Sequence, residues 1–203
     1  MDRVLYGEDH EAFREVVKAF VKRYVTTADR ERWDEEGEVD RATMRAAGDS
    51  GLIGLSVPEE FGGAGMMQDY RYRAIVNEEI ILAGAGSLAG AFGIQDDLAV
   101  PYIVHFGTDE QKAKWLPGMA TGEVIGALAM TEPGAGSDLR GVSTTAKKVE
   151  GGYIVNGAKT FISSGKTADL IVTFVKTGEG NRPDAIRLIL IENGMEGFEH
   201  GKT

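Results

Sequence analysis

The sequence predicts an α+β protein: an all-α N-terminal domain over residues 1–122, then an antiparallel β domain, a barrel or a sandwich, over residues 123–203. Three observations predict it. Apolar residues recur at helical spacing through the first part of the chain. Beyond Gly122 they give way to short β-branched runs broken by glycine turns. Gly118 and Gly122 mark the change itself.

The helices follow in order. From Glu8 to about Arg30, Phe13, Val16, Val17, Phe20 and Tyr24 make one apolar stripe, with Glu15, Lys18, Lys22 and Arg23 opposite. This is the pattern of a core-packing helix. Asp40 is placed to cap a second helix that runs to Ser50 and ends at Gly51. Val57 to Gly65 is a loop by its Pro and Gly content, and Glu59 and Glu60 in it are solvated acids. Asp69 is placed to cap a third helix through Ala83, with Ile75, Val76, Leu82 and Ala83 buried and Glu78 and Glu79 exposed or paired.

A fourth helix runs from Ser87 to Phe106 and should kink at Pro101. Gly86, Ala89, Gly90 and Gly93 give it a face almost without side chains. Interior glycines cost about 1 kcal/mol each relative to alanine, so something must approach that face closely. A tightly packed neighbouring helix and the wall of a narrow apolar cavity fit equally well. His105 complements the dipole at the helix C-terminus, and His10 and His200 read as isolated. Thr108-Asp-Glu-Gln111 is a capping box that opens a fifth helix.

The strand candidates are 124–130, 143–149, 153–155, 158–162, 170–176 and 185–191, with tight turns at Gly151-Gly152 and Asn156-Gly157 and a polar loop over 178–183. The most informative run is Leu128-Ala-Met-Thr-Glu-Pro-Gly-Ala-Gly-Ser-Asp-Leu-Arg-Gly141, entered from a short buried strand. Pro133 fixes one backbone angle, and Gly134 and Gly136 permit turns closed to other residues. Such a loop lets a flat ligand approach the backbone and meet its N–H groups. It is no dinucleotide fingerprint, because Leu139 stands where a third glycine belongs and β-branched residues follow. Ser164-Gly-Lys-Thr167 is no phosphate loop, because Thr160 stands at its first glycine. On spacing alone, a glycine hairpin without a ligand fits as well as a binding loop.

Composition removes several function classes. The chain has 203 residues, 42% hydrophobic and 27% charged, as in a globular protein. A net charge of −10 argues against nucleic-acid binding and mildly opposes an anionic substrate. No cysteine is present, which excludes disulfides and thiol chemistry and fits a reducing compartment. No apolar run approaches membrane-spanning length and no signal-peptide pattern is visible, so the expected location is cytoplasmic. No metal-ligand spacing stands out.

Thr131-Glu-Pro-Gly-Ala-Gly-Ser-Asp138 with Gly141 resembles the signature of the acyl-CoA dehydrogenases. Asn156-Gly-x-Lys159 and Phe161-Ile-Ser163 follow it, while Pro58-Glu-Glu-Phe-Gly-Gly63 and Gly107-Thr-Asp-Glu-Gln-Lys112 precede it, all in family order. Ile191-Glu-Asn-Gly-Met195 leans toward the long-chain branch. The resemblance implies FAD-dependent α,β-dehydrogenation of a long-chain fatty acyl-CoA, electron-transfer flavoprotein as acceptor, and a homotetramer or dimer. It implies FAD contacts from Leu128, Ala129, Met130, Thr131, Glu132, Pro133, Gly134, Ala135, Gly136, Ser137, Phe161, Ile162 and Ser163. Substrate contacts would come from Ser137, Ala89, Gly90 and Gly93. Many relatives carry Trp-Ile-Thr where this chain has Phe161-Ile162-Ser163; an aromatic face and a hydroxyl are kept.

In the family the catalytic glutamate lies in a C-terminal four-helix domain, which this chain does not reach. Glu132 is therefore not taken as the base, and the chain by itself is expected to be inactive and to hold FAD weakly. The competing expectations are a non-catalytic flavin- or acyl-binding fragment, a subunit completed by another chain, or an acyl-CoA oxidase or flavin monooxygenase of the same fold.

Overall fold

Seven α-helices and five strands build two units in a computed structural model of the chain, which describes residues 5–177 and 186–201. The units divide after Ile125. The polar loop expected over 178–183 and the first residue of the last expected strand lie outside the described residues.

The first unit is helical. Helices α1 (Glu8–Tyr24) and α2 (Thr27–Glu36) replace the single expected helix. The break falls at Thr26, whose hydroxyl accepts from the Asp29 N–H while the Asp29 carboxylate accepts from the Thr26 N–H. This reciprocal cap starts a new helix where the apolar stripe of the old one has run out. In α3 (Arg41–Asp49), Asp40 caps as expected and also accepts from the indole of the buried Trp33 at 2.9 Å. Burial would raise its pKa, but bonds from Trp33, Thr43 and Arg32 prevail and hold it at about 2.

Helix α4 (Arg71–Leu82) begins one residue later than Asp69 would cap it; Asp69 instead accepts from the Arg71 N–H and guanidinium. Ile75, Val76 and Ile80 are its buried apolar residues, while Leu82, expected inside, is 80% exposed. Glu78 and Glu79 pair with Arg14 of α1 at 3.0 and 2.6 Å. His10 is not isolated. It is buried, its Nδ1 accepts from the Gly7 N–H, and its Nε2 lies 3.1 Å from Asp69.

The expected fourth helix is α5 (Gly86–Gly93), one π-helical stretch (Ile94–Ala99) and α6 (Val100–Phe106). Pro101 is the second residue of α6, directly after the π stretch, and the backbone is helical on both sides of it. The π stretch turns Gln95 and Asp96 fully inward. Gln95 donates to the carbonyls of Met119 and Val124, both at 2.9 Å. Asp96 accepts from the N–H groups of Gly54 and Leu55 at 2.9 and 3.1 Å.

Burial pushes Asp96 up to about 6, against the charge of Arg73 and those two N–H bonds. A carboxylate raised from about 4 in the unfolded chain contributes stability that is full below that value and is lost as pH rises through the folded pKa. As pH falls from 7 to 5, the wild type is therefore expected to gain stability relative to Asp96→Asn. Melting the two proteins across that range with Trp33 and Trp115 fluorescence checks this, and a pH-independent difference would contradict it.

Helix α7 (Asp109–Thr121) carries the expected capping box at Thr108 and ends at Gly122, which has φ +73°. Glycines let α3 and α7 meet. A Cβ on Gly48 would lie 2.2 Å from the Thr121 carbonyl oxygen, and one on Gly122 would lie 2.3 Å from that of Met44.

The second unit is the expected β domain, and its sheet is mixed, with parallel as well as the expected antiparallel pairs. Strands β1 (Gly126–Ala129), β2 (Thr145–Val149), β3 (Gly152–Asn156), β4 (Leu170–Lys176) and β5 (Ile186–Glu192) run in the order β1-β4-β2-β3, with β5 on β4. β1 pairs parallel with β4 from Gly126↔Leu170 to Ala129↔Thr173, and Thr145 of β2 meets Lys176 of β4, again in parallel. Both therefore follow β4 in one direction, and residues 130–144 are extruded between them. The β2–β3 hairpin turns at Gly151, as expected, and β5 is antiparallel to β4.

The strand expected over 158–162 does not form. Phe161 has φ +56°, outside any strand, and the Lys159 side chain is drawn inward.

Candidate functional site

Two loops meet at one end of the sheet: residues 130–144 between β1 and β2, and residues 157–169 between β3 and β4. The Thr160 N–H donates to the Thr131 carbonyl at 2.9 Å, and Lys159 Nζ donates to the Met130 carbonyl at 3.2 Å. The two runs singled out in the sequence are thus joined by backbone and side chain.

Glu132 is the anchor of the junction. Its carboxylate accepts from Lys159 Nζ at 2.8 Å, from the Ser143 N–H and hydroxyl at 2.7 and 2.6 Å, and from the Thr144 N–H at 3.0 Å and hydroxyl. The side chain is 2% exposed. Burial opposes its charge, yet Lys159, Ser143 and Thr144 prevail and hold the carboxyl well below the usual carboxylate range. A carboxylate so held is a poor proton acceptor, which gives the physical ground for excluding it as a base. Its side chain faces its own loop.

Above this anchor the chain makes a tight turn. Glu132 and Ala135 exchange two backbone hydrogen bonds, 2.9 and 3.1 Å, around Pro133-Gly134. Neither Gly134 nor Gly136 has a positive φ, so neither is needed for a left-handed turn. Nothing lies within 4 Å of where a Cβ on either would stand. Their contribution is a bare, approachable loop surface. Ser137 is exposed beside it, and Asp138 accepts from Arg140 through both the N–H and the guanidinium.

The second loop presents one ring. Phe161 is 92% exposed and sits in the left-handed region, with Ser164 at φ +59° close behind. Left-handed backbone on a side-chain-bearing residue costs of order 1–3 kcal/mol and clusters at ligand sites. Ile162 points the other way, onto the small core of Ala127, Ala129, Ala168 and Ile171. An inward isoleucine thus fixes an outward phenylalanine, and Ser163 is exposed beside them.

Of the other residues singled out, Leu128 and Ala129 are buried in β1, Met130 and Thr131 are half-buried at its end, and Pro133 is exposed. Ala89, Gly90 and Gly93 belong to α5 in the helical unit, and Gly90, like Gly86, has open space at its Cβ position. Among the described residues, no atom of that unit beyond the helix's own backbone and the adjoining residues stands within 4 Å of those two Cβ positions. The sequence reading missed Lys159 as the partner of Glu132, and it missed Arg73 with Asp97. The polar trio Gln95-Asp96-Asp97 inside an apolar helix was the available signal for the second.

Residues 7–123 match the description "Acyl-CoA dehydrogenase, N-terminal domain", and residues 127–203 match "Acyl-CoA dehydrogenase, middle domain". The chain belongs to the acyl-CoA dehydrogenase family. It is 41% identical to a mitochondrial long-chain specific acyl-CoA dehydrogenase of Rattus norvegicus over 98% of this chain and 46% of that protein. It is 37% identical to a mitochondrial isovaleryl-CoA dehydrogenase of Solanum tuberosum over 96% of this chain and 47% of that one. The crystal structure of an acyl-CoA dehydrogenase from Geobacillus kaustophilus superposes with a TM-score of 0.90 at 40% identity, covering 99% of this chain and 52% of that one. The chain spans about half the length of the curated relatives it matches.

Proposed function

We propose that the protein carrying this chain oxidises a fatty acyl-CoA to its trans-2-enoyl-CoA, using FAD held against residues 128–137 and 161–163. Members of the family are FAD flavoproteins. The observation that carries the reading is Phe161, a nearly fully exposed ring held in a strained backbone beside an open glycine turn. An exposed aromatic face and a bare backbone edge fit a flat ring system with hydrogen-bonding groups along one side. Bound there, FAD supplies the two-electron acceptor that the side chains lack.

In this proposal the chain's own residues bind and orient. Phe161 covers one ring face, Ser163 offers its hydroxyl, and the turn from Thr131 to Ser137 offers backbone donors. Glu132 and Lys159 hold the turn without touching the reaction. Ser137 contacts the acyl-CoA near its pantetheine. The carboxylate that removes the α-proton is not among these residues, and the 203-residue chain by itself is expected to be inactive.

The bare face of Gly86, Ala89, Gly90 and Gly93 supports a deep acyl channel and so a long chain. The isovaleryl-CoA relative, nearly as similar as the long-chain one, makes length the finer part of the proposal. Electron-transfer flavoprotein as acceptor, a homotetramer or dimer, and the domain border near residue 122 belong to the same proposal. So does a cytoplasmic location. Among the described residues no helix is long and apolar enough to cross a membrane.

The test is turnover of saturated acyl-CoAs by the protein expressed from its full reading frame, followed with a dye acceptor. Phe161→Ala is expected to weaken FAD binding about 3- to 10-fold, the scale of one aromatic stacking contact, and to shift the flavin absorption bands. Absence of bound flavin and of acyl-CoA turnover would overturn the reading, and oxygen consumption coupled to turnover would reassign the protein to the oxidases.

A further inference from the structure

Arg73, in α4, holds donors that no described residue uses. The residue is 3% exposed. Its Nε donates to both oxygens of Asp97, at 3.1 and 3.2 Å, while Nη1 and Nη2 are buried without a partner among the described residues. Donors of an ion that have given up water and found no acceptor are rare in folded proteins. Where they occur, an acceptor that arrives from elsewhere gains a charge-assisted bond.

The place of arrival is marked independently. A Cβ on Gly93 would stand 3.8 Å from Nη2 of Arg73 and 3.6 Å from Oδ2 of Asp97. Further back on the same helix, Gly86 and Gly90 have nothing within 4 Å of their Cβ positions. At 1.5 Å per residue, the strip from Gly86 to Gly93 is about 10 Å long. A bare length of helix therefore ends on a buried guanidinium. An oxygen resting on Gly93 needs to come only about 1 Å nearer than that absent methyl to form a hydrogen bond with Nη2.

We propose that Arg73 selects acyl chains that carry a neutral oxygen, a hydroxyl or a keto group, at their far end, by donating a hydrogen bond to it beside Gly93. This rests on reading the Gly86–Gly93 strip as the wall of the acyl channel. A plain hydrocarbon end leaves both Nη groups unpaired. A carboxylate end is disfavoured, because Asp97 already balances the guanidinium and the fully buried Asp96 adds a second negative group close by.

The experiment uses the FAD-loaded protein from its full reading frame. Binding of saturated acyl-CoAs, from octanoyl to hexadecanoyl, is compared by calorimetry with the ω-hydroxy, ω-keto and ω-carboxy compounds of equal length. At the length that reaches Arg73, a neutral oxygen is expected to tighten binding about 10-fold over the saturated chain. Gly93→Ala should reduce that ratio to about 2-fold or less, because its methyl stands between the chain and Nη2. That variant keeps the Arg73–Asp97 pair, meets its neighbours at ordinary contact distance and improves helix propensity, so loss of folding does not confuse the result.

Equal binding of saturated and oxygenated chains at every length overturns this inference alone, as does a ratio unchanged in Gly93→Ala. Preference for the ω-carboxylate overturns the assignment to a neutral oxygen. Failure to bind any acyl-CoA removes the channel reading beneath it as well.

Discussion

Glu132→Ala is expected to cost the sheet unit about 3–5 kcal/mol, the scale for breaking a buried ion pair from one side. The loss is large because the substitution strands several groups together. Lys159 Nζ keeps only a carbonyl, and the N–H and hydroxyl groups of Ser143 and Thr144 lose their shared acceptor. Thermal unfolding with hydrogen exchange at the β2 and β4 amides measures it, and a change below about 1 kcal/mol would show that Glu132 does not pin the loops. Glu132→Gln separates charge from shape. The sign with pH follows from the lowered pKa: the stabilisation is present above the ordinary glutamate value of about 4.3 and is lost as pH falls toward the folded one. The wild type should therefore lose its advantage over Glu132→Gln in acid, not in base.

Gly122→Ala should lower the stability of the helical unit by about 3 kcal/mol. Two costs combine, a left-handed backbone at about 1–2 kcal/mol and overpacking at about 1–3 kcal/mol. The new methyl would stand 2.3 Å from the Met44 carbonyl oxygen, a backbone atom that cannot rotate away. Gly37→Ala is the matched control, since Gly37 has φ +68° but nothing within 4 Å of its Cβ position. It should show the backbone cost alone. Trp33 and Trp115, both in the helical unit, report the unfolding. Equal losses at the two sites would mean that the α3–α7 contact has room to give.

Much of this architecture is legible in the residues because it is set locally. The Thr108 box, the Asp40 cap and the Gly151 hairpin each depend on a few consecutive side chains, and all three stand where the pattern puts them. The break at Thr26 was written as locally, but the apolar stripe running through Tyr24 hid it. What stays hidden depends on distant partners. Parallel pairing of β1 and β2 along β4 is decided by which edges meet, and period-two alternation is the same for either direction. Residues 158–162 alternate like a strand, yet Lys159 is committed to a carboxylate 27 residues earlier in the chain and Phe161 to a left-handed turn. The glycines of the 130–144 loop were legible as important but not in their manner: Gly134 and Gly136 clear space rather than bend the chain. Arg73 was invisible among ordinary surface-looking charges, because its exposure depends on the π stretch that seats Asp97.

That same stretch keeps a phase. Six residues, Ile94–Ala99, complete a wider coil than the α-helix would use, so the coil takes in what amounts to one inserted residue without the about 100° of rotation that residue would add in an α-helix. Removing a single residue there would leave the rod helical and of nearly the same length. It would also leave the glycine strip of α5 on nearly its present bearing to α6, because the α-helix restored there turns about 100° per residue and makes up for the one lost; what would go is the widened turn that seats Gln95 and Asp96 inside.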